Sequence, residues 1–241
     1  MSGSKGPLAP FSKKQLEVLT WWDQGSPHRD RDAVICHGAV RSGKTFCMGL
    51  SFVSWAMSAF DGQSFAICGK TRGGVERNLL TPLLPQLERL GFRCRHQKSR
   101  GAVDVTRGNR RNRFWLFGGR DEGAGALIQG VTLAGVLLDE AALMPRSFVE
   151  QAVARCSVEG SRFWFNCNPE HPGHWFYREW ILGAEEKNAL VLHFRMEDNP
   201  SLSPEMLARY RKLYAGPFYR RYVLGEWTAP AGAVYPFFRR E

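Results

Sequence analysis

The segment from His37 to Thr45, with the sequence HGAVRSGKT, constrains the fold more than any other part of the chain. Gly38 and Gly43 have the spacing of a phosphate-binding loop, and Lys44 and Thr45 follow directly. An apolar run precedes the segment and an apolar-rich stretch follows it, which predicts a strand, a tight loop and a helix. Because residue type, spacing and context agree, the segment predicts a nucleoside triphosphate site rather than a glycine turn before an ordinary amphipathic helix.

The residue types explain how such a loop would bind phosphate. Glycines allow the backbone to turn its N–H groups inward, and the N-terminus of the following helix adds a favourable dipole. Lys44 would reach the β and γ phosphates of ATP, and the Thr45 hydroxyl would bind Mg²⁺. The predicted phosphate-binding residues are Gly38, Arg41, Ser42, Gly43, Lys44 and Thr45.

A second segment, AGVLLDEAA at residues 134–142, predicts an apolar strand that ends in two adjacent carboxylates. Asp139 would hold the Mg²⁺ shell, and Glu140 would polarise the water that attacks the γ phosphate. A GTPase-type switch usually lacks the second acid, so the pair favours ATP hydrolysis in the additional-strand branch of phosphate-loop enzymes. An exposed acidic strand end is the alternative interpretation.

Composition and charge limit the class of partner. Of the 241 residues, 44% are hydrophobic and 12% aromatic, which is typical of a globular chain. The net charge of +10 favours a polyanionic partner such as nucleic acid, although arginines on a basic protein commonly face solvent. Four arginines between Arg107 and Arg113 predict a hairpin with a basic tip, which is either a solvated turn or a nucleic-acid-facing loop.

The order of the apolar segments predicts an α/β fold, a three-layer phosphate-loop domain with a mainly parallel central sheet. Residues 1–10 are expected to form a flexible arm, 11–200 the core and 201–241 a helical tail. The six cysteines include no CxxC pair and predict reduced, mostly buried thiols. No segment resembles a signal peptide or a membrane span, so the expected protein is soluble and intracellular, without membrane contact.

The first predicted helix covers residues 11–22, with Ser12 as its N-cap. Gln15 lies near its start, before the first core strand, where many nucleic-acid motors place a glutamine that binds the adenine edge. A solvated helical glutamine is equally compatible with the spacing. The residues expected to face the core are Leu16, Leu19 and Trp22.

Two later segments complete the predicted core. A helix is expected over residues 74–90, with interruptions near Pro82 and Pro85. A strand over 163–169 contains asparagines at its end, among them Asn168, which would lie beside the two carboxylates in a parallel sheet. Such an asparagine either senses the γ phosphate or the attacking water, or caps the following turn.

Five segments in this order carry a family resemblance: GAVRSGKT, the strand that ends in Asp139 and Glu140, FNCNPEHPGHWFYREW, FRMEDNPSLS and YVLGEW. Together they resemble the ATPase domain of the large terminase subunit of tailed bacteriophages, from about Phe11 to Tyr235. The phosphate loop is common to many families, whereas the NPEHPGHW and MEDNP segments after a DE strand are much more particular to terminases. An arginine inside the phosphate loop, here Arg41, also resembles the terminase variant.

The resemblance implies a motor that translocates double-stranded DNA into an empty procapsid in the cytoplasm of an infected bacterium. Such motors act as homo-oligomeric rings on the portal protein, together with a small terminase subunit. Carried over by position, Gln15 would be the adenine-binding glutamine, and the segment Asn166-Cys167-Asn168 would be the motif that couples hydrolysis to DNA movement. The alternatives are a helicase-like ATPase, which normally has a second similar domain, and a nucleotide-gated assembly module in which hydrolysis is incidental.

The sequence departs from the family pattern in two places. Some terminases place an arginine that reaches a neighbouring subunit shortly before the DE strand, where this chain has Gln129. Arg120 and Arg41 are the candidates for that finger, and an isolated monomer is expected to hydrolyse ATP slowly. The family also has a C-terminal nuclease domain with clustered acidic residues, so no DNA cleavage is expected from these 241 residues.

Overall fold

The structure is a computed structural model that describes residues 10–120 and 122–229. Its centre is an eight-stranded sheet in the order β3-β4-β5-β2-β6-β7-β1-β8. The strands are β1 Ala33–Gly38, β2 Ser64–Gly69, β3 Arg93–Gln97, β4 Ala102–Arg107, β5 Arg110–Gly118, β6 Gly135–Asp139, β7 Arg162–Cys167 and β8 Ala189–Phe194. Neighbours from β5 to β8 pair in parallel, and β4 pairs antiparallel with both β3 and β5. The predicted mainly parallel sheet is confirmed.

Strand β1 is buried along its whole length because it lies between β7 and β8. Its run of apolar residues is typical of a central parallel strand covered on both faces. Strand β7 lies between β1 and β6, so the phosphate-loop strand and the DE strand are not direct neighbours. This intervening strand agrees with the predicted additional-strand class.

Helices cover both faces of the sheet and form a three-layer fold. One hydrophobic cluster packs the first, second and fourth helices against one face, and a second cluster packs the fifth helix against the other. The helices are α1 Lys13–Thr20, α2 Lys44–Ala59, α3 Arg72–Val75, α4 Thr81–Arg89, α5 Arg146–Ala154, α6 Pro204–Leu213 and α7 Gly216–Tyr219. Wide helical turns cover Glu76–Leu80, Tyr177–Ile181 and Arg220–Leu224.

Helix α1 is shorter than predicted, and its buried face differs. The Ser12 hydroxyl accepts from the Gln15 backbone N–H and the Gln15 side chain accepts from the Ser12 N–H, which together cap the first turn. Val18 and Trp21 are fully buried, whereas Leu16 is 47% exposed. The assignment of Leu16 to the core was wrong, because the buried face of this segment runs through Gln15, Val18 and Trp21.

The break in the second predicted helix precedes the prolines. The wide turn Glu76–Leu80 joins α3 to α4, and Pro82 occupies the first turn of α4, where a missing N–H removes no helical hydrogen bond. Pro85 lies inside α4, which continues to Arg89. The predicted interruption therefore exists, but it lies one turn earlier than expected.

The basic hairpin also differs from the prediction. Arg107 pairs with Arg110, so the turn between β4 and β5 contains only Gly108 and Asn109. Gly108 has φ +61°, a left-handed conformation that glycine adopts readily. Three of the four arginines assigned to the tip therefore lie on β5, where they can contact neighbouring strands.

The cysteines, the helix lengths and the two ends of the chain bear on the remaining expectations. All six cysteines are free thiols, four of them buried and Cys94 and Cys156 partly buried. No helix in the ranges 10–120 and 122–229 is long and apolar enough to span a membrane. The predicted arm at residues 1–10 lies outside the described residues except for Pro10, and so do the last twelve residues of the predicted tail.

Candidate nucleotide and metal site

The phosphate loop connects β1 to α2 at the carboxyl edge of the parallel strands. Gly43 precedes α2 with φ +83°, and Gly38 has φ +135°. A Cβ atom on Gly38 would collide with the Phe194 carbonyl, so only glycine allows the loop to lie this close to β8. Arg41 also has a positive φ, of 56°, which is uncommon for a residue with a side chain.

Lys44 is buried against neutral acceptors. Its Nζ donates to the carbonyl oxygens of Gly38 and Ala39, at 3.1 and 2.6 Å. It also donates to Ser42 Oγ and to Asn168 Oδ1, each at 3.2 Å. Burial lowers the pKa of Lys44 to about 8, so the ammonium is still largely charged at pH 7. Because the buried Lys44 ammonium has only neutral acceptors, an anion that entered the site would replace the carbonyl oxygens favourably.

Three polar side chains meet beside the loop. Thr45 Oγ1 lies 3.2 Å from Asp139 Oδ1, and Asn166 Nδ2 donates to Thr45 Oγ1 at 2.8 Å and to Asp139 Oδ1. Asp139 ends β6 and Asn166 lies opposite it on β7, so the sheet register brings them together. A hydroxyl and a carboxylate oxygen this close are the donor set that a phosphate-loop Mg²⁺ uses.

Glu140 follows Asp139 in a strained backbone conformation. Its φ of 62° is positive, which places the half-buried carboxylate at the turn after β6 rather than along the strand. Burial raises the pKa of Glu140 above its usual value, the neighbouring Asp139 raises it further, and Lys70 opposes both effects. A raised pKa makes a carboxylate a better proton acceptor, as a general base requires.

These residues line one cavity of about 290 Å³. Of the predicted site residues, Arg41, Ser42, Gly43, Lys44, Thr45, Asp139, Glu140 and Asn168 line it. Asn78 from the wide turn after α3 also lines the cavity and was not predicted. The only signal that could have found Asn78 is its position on a segment that follows the neighbouring parallel strand β2.

Gln15 lies at the loop but contacts protein atoms. Its Nε2 donates to the Ser42 carbonyl at 3.1 Å, while its Oε1 accepts from Ser12 N–H in the helix cap. The side chain is buried, with 3% exposed, so the solvated alternative is wrong. The structure assigns Gln15 to supporting the loop backbone, and binding of adenine by Gln15 stays a prediction.

Two segments from the end of the chain support the loop from outside. Asn199, in the MEDNP segment, donates to the Arg41 carbonyl at 2.7 Å. Val40 N–H donates to the carbonyl of Tyr222 at 3.2 Å. Gly225, with φ +75°, lies so close to Ala39 that a Cβ atom there would collide with the loop backbone. The MEDNP and YVLGEW segments therefore belong to the nucleotide site, which their resemblance to terminases did not reveal.

A buried histidine connects the loop to the last of these segments. His37 precedes Gly38, stacks on His193 at a centroid distance of 5.0 Å, and accepts from Trp227 Nε1 through its Nδ1 at 3.3 Å. Burial, and then the neighbouring His193, lower the pKa of His37 to about 3. His37 is thus neutral at physiological pH, as an acceptor for Trp227 must be.

The two finger candidates occupy different places. The Arg41 side chain is exposed at the cavity, with its guanidinium carbon 6.0 Å from the centroid of Tyr210. Arg120 is exposed and follows β5 at the carboxyl edge of the sheet, the edge at which the phosphate loop lies. Strand β5 is four strands away from β1. Arg120 does not line the cavity. A finger acts on a neighbouring subunit, so the identity of the finger stays a prediction.

The fold and the site together define the class of protein. A parallel sheet with a strand between the phosphate-loop strand and the DE strand, and a lysine, threonine and two acids around one cavity, is the arrangement of an additional-strand phosphate-loop NTPase. Residues 35–241 match the family model described as "Terminase large subunit, T4likevirus-type, N-terminal". The chain belongs to the terminase large subunit family and corresponds to its N-terminal ATPase domain.

Solved structures agree with this assignment. The large terminase of a thermophilic bacteriophage is 50% identical, with a TM-score of 0.90 over 96% of this chain and 57% of that chain. The same terminase in complex with ATP-gamma-S matches at 50% identity and a TM-score of 0.86, over 91% of this chain and 53% of that one. The ATPase domain of the Thermus phage P74-26 large terminase, at 20% identity and a TM-score of 0.66, covers 89% of this chain and 92% of that one, and supports the fold. No curated protein matches the sequence.

Proposed function

We propose that this chain is a Mg²⁺-dependent ATPase that drives the packaging of double-stranded DNA into a viral procapsid. The observation that carries the proposal is the convergence of Lys44, Thr45, Asp139 and Glu140 on one cavity. The chain spans 57% of the thermophilic-phage terminase that it resembles, so the proposal concerns the motor half of such a protein.

The residues divide the work of hydrolysis between them. Lys44 Nζ would leave the carbonyl oxygens of Gly38 and Ala39 and bind the β and γ phosphates. Its hydrogen bonds would become stronger, because anionic acceptors replace neutral ones. Glu140 would accept a proton from the attacking water, and its raised pKa suits that role.

Thr45 Oγ1 and Asp139 Oδ1 would hold the cation. When bound, Mg²⁺ neutralises charge on the phosphate oxygens as the γ phosphoryl group is transferred. The buried Asp139 would supply the negative charge that a divalent cation needs. Asn168, which accepts from Lys44, would respond to the γ phosphate.

The relatives support the nucleotide and the biological role. The large terminase of the thermophilic bacteriophage has been solved with ADP and with ATP-gamma-S, so a close relative binds adenine nucleotides. The net charge of +10 is compatible with DNA as the polymer that is moved. The proposed partners are double-stranded DNA, a portal protein, a small terminase subunit and further copies of this chain in a ring, in the cytoplasm of the host.

The test is steady-state ATP hydrolysis with and without linear double-stranded DNA, in buffers with Mg²⁺ or with EDTA. Lys44→Ala and Glu140→Ala should abolish turnover. Lys212→Ala and Glu186→Ala change exposed side chains of the same types outside the cavity and should leave turnover unchanged. Turnover in the Lys44→Ala protein, or turnover in EDTA equal to that in Mg²⁺, would contradict the proposal.

A strand-displacement assay separates packaging from the helicase alternative. The motor should hydrolyse ATP on blunt duplex DNA without releasing a labelled strand from a tailed duplex. Efficient strand release would favour the helicase-like ATPase. Full function of Glu140→Ala in an assembly assay would favour the assembly module.

The neighbour-supplied arginine has its own test. Turnover per chain should rise with protein concentration or with added portal protein, because an isolated monomer lacks the finger. Adding Lys44→Ala protein, which keeps its arginines, should stimulate a dilute finger-deficient variant, either Arg120→Ala or Arg41→Ala. A fast rate that is independent of concentration would contradict a finger supplied in trans.

A further inference from the structure

Asn166 occupies a position that hydrolysis by Lys44 and Glu140 does not explain. It lies on β7 opposite Cys36 of β1 on one side and Asp139 of β6 on the other. Its side chain is 4% exposed, and its Nδ2 donates to both Thr45 Oγ1 and Asp139 Oδ1. The amide nitrogen thus contacts the two atoms that would hold the cation.

The other end of the same amide has no partner. Asn166 Oδ1 is buried and accepts no hydrogen bond in the described part of the chain. Reversing the amide would not help, because the Oδ1 of an ionised Asp139 can only accept, and two oxygens would then face each other. An acceptor in this position is unfavourable unless something else satisfies it.

A divalent cation held by Thr45 and Asp139 would favour the opposite orientation of the Asn166 side-chain amide. The positive end of the amide dipole, at Nδ2, would be repelled by the cation, and Oδ1 is the kind of ligand that Mg²⁺ and its bound waters prefer. A bound cation would therefore satisfy the unpaired Oδ1 of Asn166, whereas the Nδ2 group of Asn166 and the cation would compete for Asp139.

We propose that Asn166 is a positioning residue for the cation: Nδ2 holds Thr45 and Asp139 together without the metal, and Oδ1 joins the hydration shell of the metal once it binds. This inference rests on the proposed function, since it concerns the same cation site. It assigns to Asn166 a part in metal affinity that is separate from any contact with the γ phosphate.

The test measures metal affinity without hydrolysis. Free Mn²⁺ is followed by electron paramagnetic resonance in the presence of saturating ADP, which has no γ phosphate. Asn166→Leu keeps the branched shape of the side chain and removes both polar ends, so the Mn²⁺ affinity should fall roughly 10-fold, as it does when an outer-shell partner is lost. Asn166→Asp, which restores an oxygen, should bind Mn²⁺ at least as tightly as the unchanged chain.

Asn109→Leu is the control, because Asn109 is an exposed asparagine in the turn between β4 and β5 and does not line the cavity. It should leave Mn²⁺ affinity with ADP within about 2-fold of the unchanged chain. Unchanged Mn²⁺ affinity in Asn166→Leu, with weaker binding of ATP-gamma-S, would show a γ-phosphate sensor instead and overturn the inference. An unchanged affinity for both would overturn it as well.

Thermal unfolding keeps the test decisive if one variant folds poorly. In EDTA, Asn166→Leu should be less stable than the unchanged chain, because Thr45 and the buried Asp139 lose the Nδ2 donor, and the Tm increase on adding Mn²⁺ and ADP should be smaller. If Asn166→Leu is unfolded in EDTA, the same comparison with Asn166→Ala decides. If the unchanged chain itself shows no Lys44-dependent Mn²⁺–ADP binding, the proposed function fails rather than this inference alone.

Discussion

The nucleotide cavity and the β4–β5 strand pair both contain buried charge, but they neutralise it in opposite ways. On the strand pair, Asp104 is buried and accepts from Arg113 at 2.7 and 3.1 Å and from Arg111 at 2.7 Å. In the cavity, Lys44 contacts only neutral oxygens, and no carboxylate in the described part of the chain lies within ion-pair distance of it. One region is complete as it stands, and the other is arranged for a ligand.

This contrast shows that a cluster of like charges does not by itself indicate a binding partner outside the protein. Arg110, the residue at the centre of the basic hairpin, donates to the carbonyls of Met57 and Ser58 at the end of α2. Arg107 packs its guanidinium over Phe92. The arginines of this hairpin therefore have partners inside the protein, whereas Lys44, which is buried without an acid beside it, is the better sign of an anion site.

Glu140→Gln should produce the largest effect in the cavity. Loss of the proton acceptor should lower kcat by roughly 10²- to 10⁴-fold, while the nucleotide affinity stays near that of the unchanged chain. Single-turnover hydrolysis and fluorescent-nucleotide binding measure the two quantities. Weaker binding with an unchanged kcat would show that Glu140 holds the nucleotide rather than the water.

Gly225→Ala tests the support of the loop by the tail. A Cβ atom would collide with the backbone of Ala39 and Phe194, so we expect a loss of about 2–4 kcal/mol in unfolding free energy and a higher KM for ATP. Gly216→Ala is the matched control, because Gly216 also has a positive φ, of 53°, but open space around it. Equal effects of the two variants on KM would show that only backbone strain matters.

Asp104→Asn tests the completeness of the strand pair. It should destabilise the fold by about 1–3 kcal/mol, since two arginines lose a buried acceptor, and leave kcat and KM unchanged. Denaturant unfolding measures the loss, with the highly exposed Asp30→Asn as control. A change in ATP hydrolysis without a change in stability would mean that the strand pair contributes to the cavity.

The same aspartate predicts behaviour in acid. Hydrogen bonds from Arg113, and then from Arg111, lower the pKa of Asp104 to about 2, below its unfolded value of about 3.9. Its stabilisation is therefore present above about pH 4 and is lost as the pH falls from about 4 to about 2. Asp104→Asn should remove this part of the acid sensitivity, and a parallel loss in both proteins would contradict the assignment.

The smallest effect expected is the pH dependence from His37. Its pKa of about 3 in the folded chain lies below the unfolded value of about 6.5, so the unfolded state binds more protons between these values. Stability should fall by about 1.5 kcal/mol as the pH drops from about 6.5 to about 5. Unfolding of His37→Gln at both pH values checks this, because glutamine can still accept from Trp227 but does not titrate.

The sequence predicts that Lys44, Thr45, Asp139 and Glu140 lie together, as they do, because its signals are local, and their roles stay predictions. Lys44 and Thr45 follow a glycine pattern within one short loop, and Asp139 and Glu140 end a strand whose apolar run is unmistakable. Parallel strands then place all four at one edge. The mainly parallel fold was predictable for the same reason, from the alternation of apolar strands and helices.

The surroundings of the site were not predictable, because backbone contacts between distant segments leave no mark on residue type. Nothing in the side chain of Tyr222 indicates that its carbonyl accepts from Val40 N–H, and Gln15 uses both ends of its amide on protein atoms. The predicted hairpin is present, but the ion pairs of Arg111 and Arg113 were not predicted, because Asp104 lies on the neighbouring strand, outside the local window of arginines.

The position of β1 in the sheet has a consequence for how the chain reaches its fold. Both neighbours of β1 come late, since Ala33 pairs with Phe163 on β7 and with Ala189 on β8. At about 5–20 residues per second of synthesis, the strand waits for roughly 6–26 s after it is made before its first partner exists. An apolar strand that is early in the chain and lies between two late strands makes folding slow and non-local. The phosphate loop can therefore take shape only after nearly all of the sheet has been synthesised.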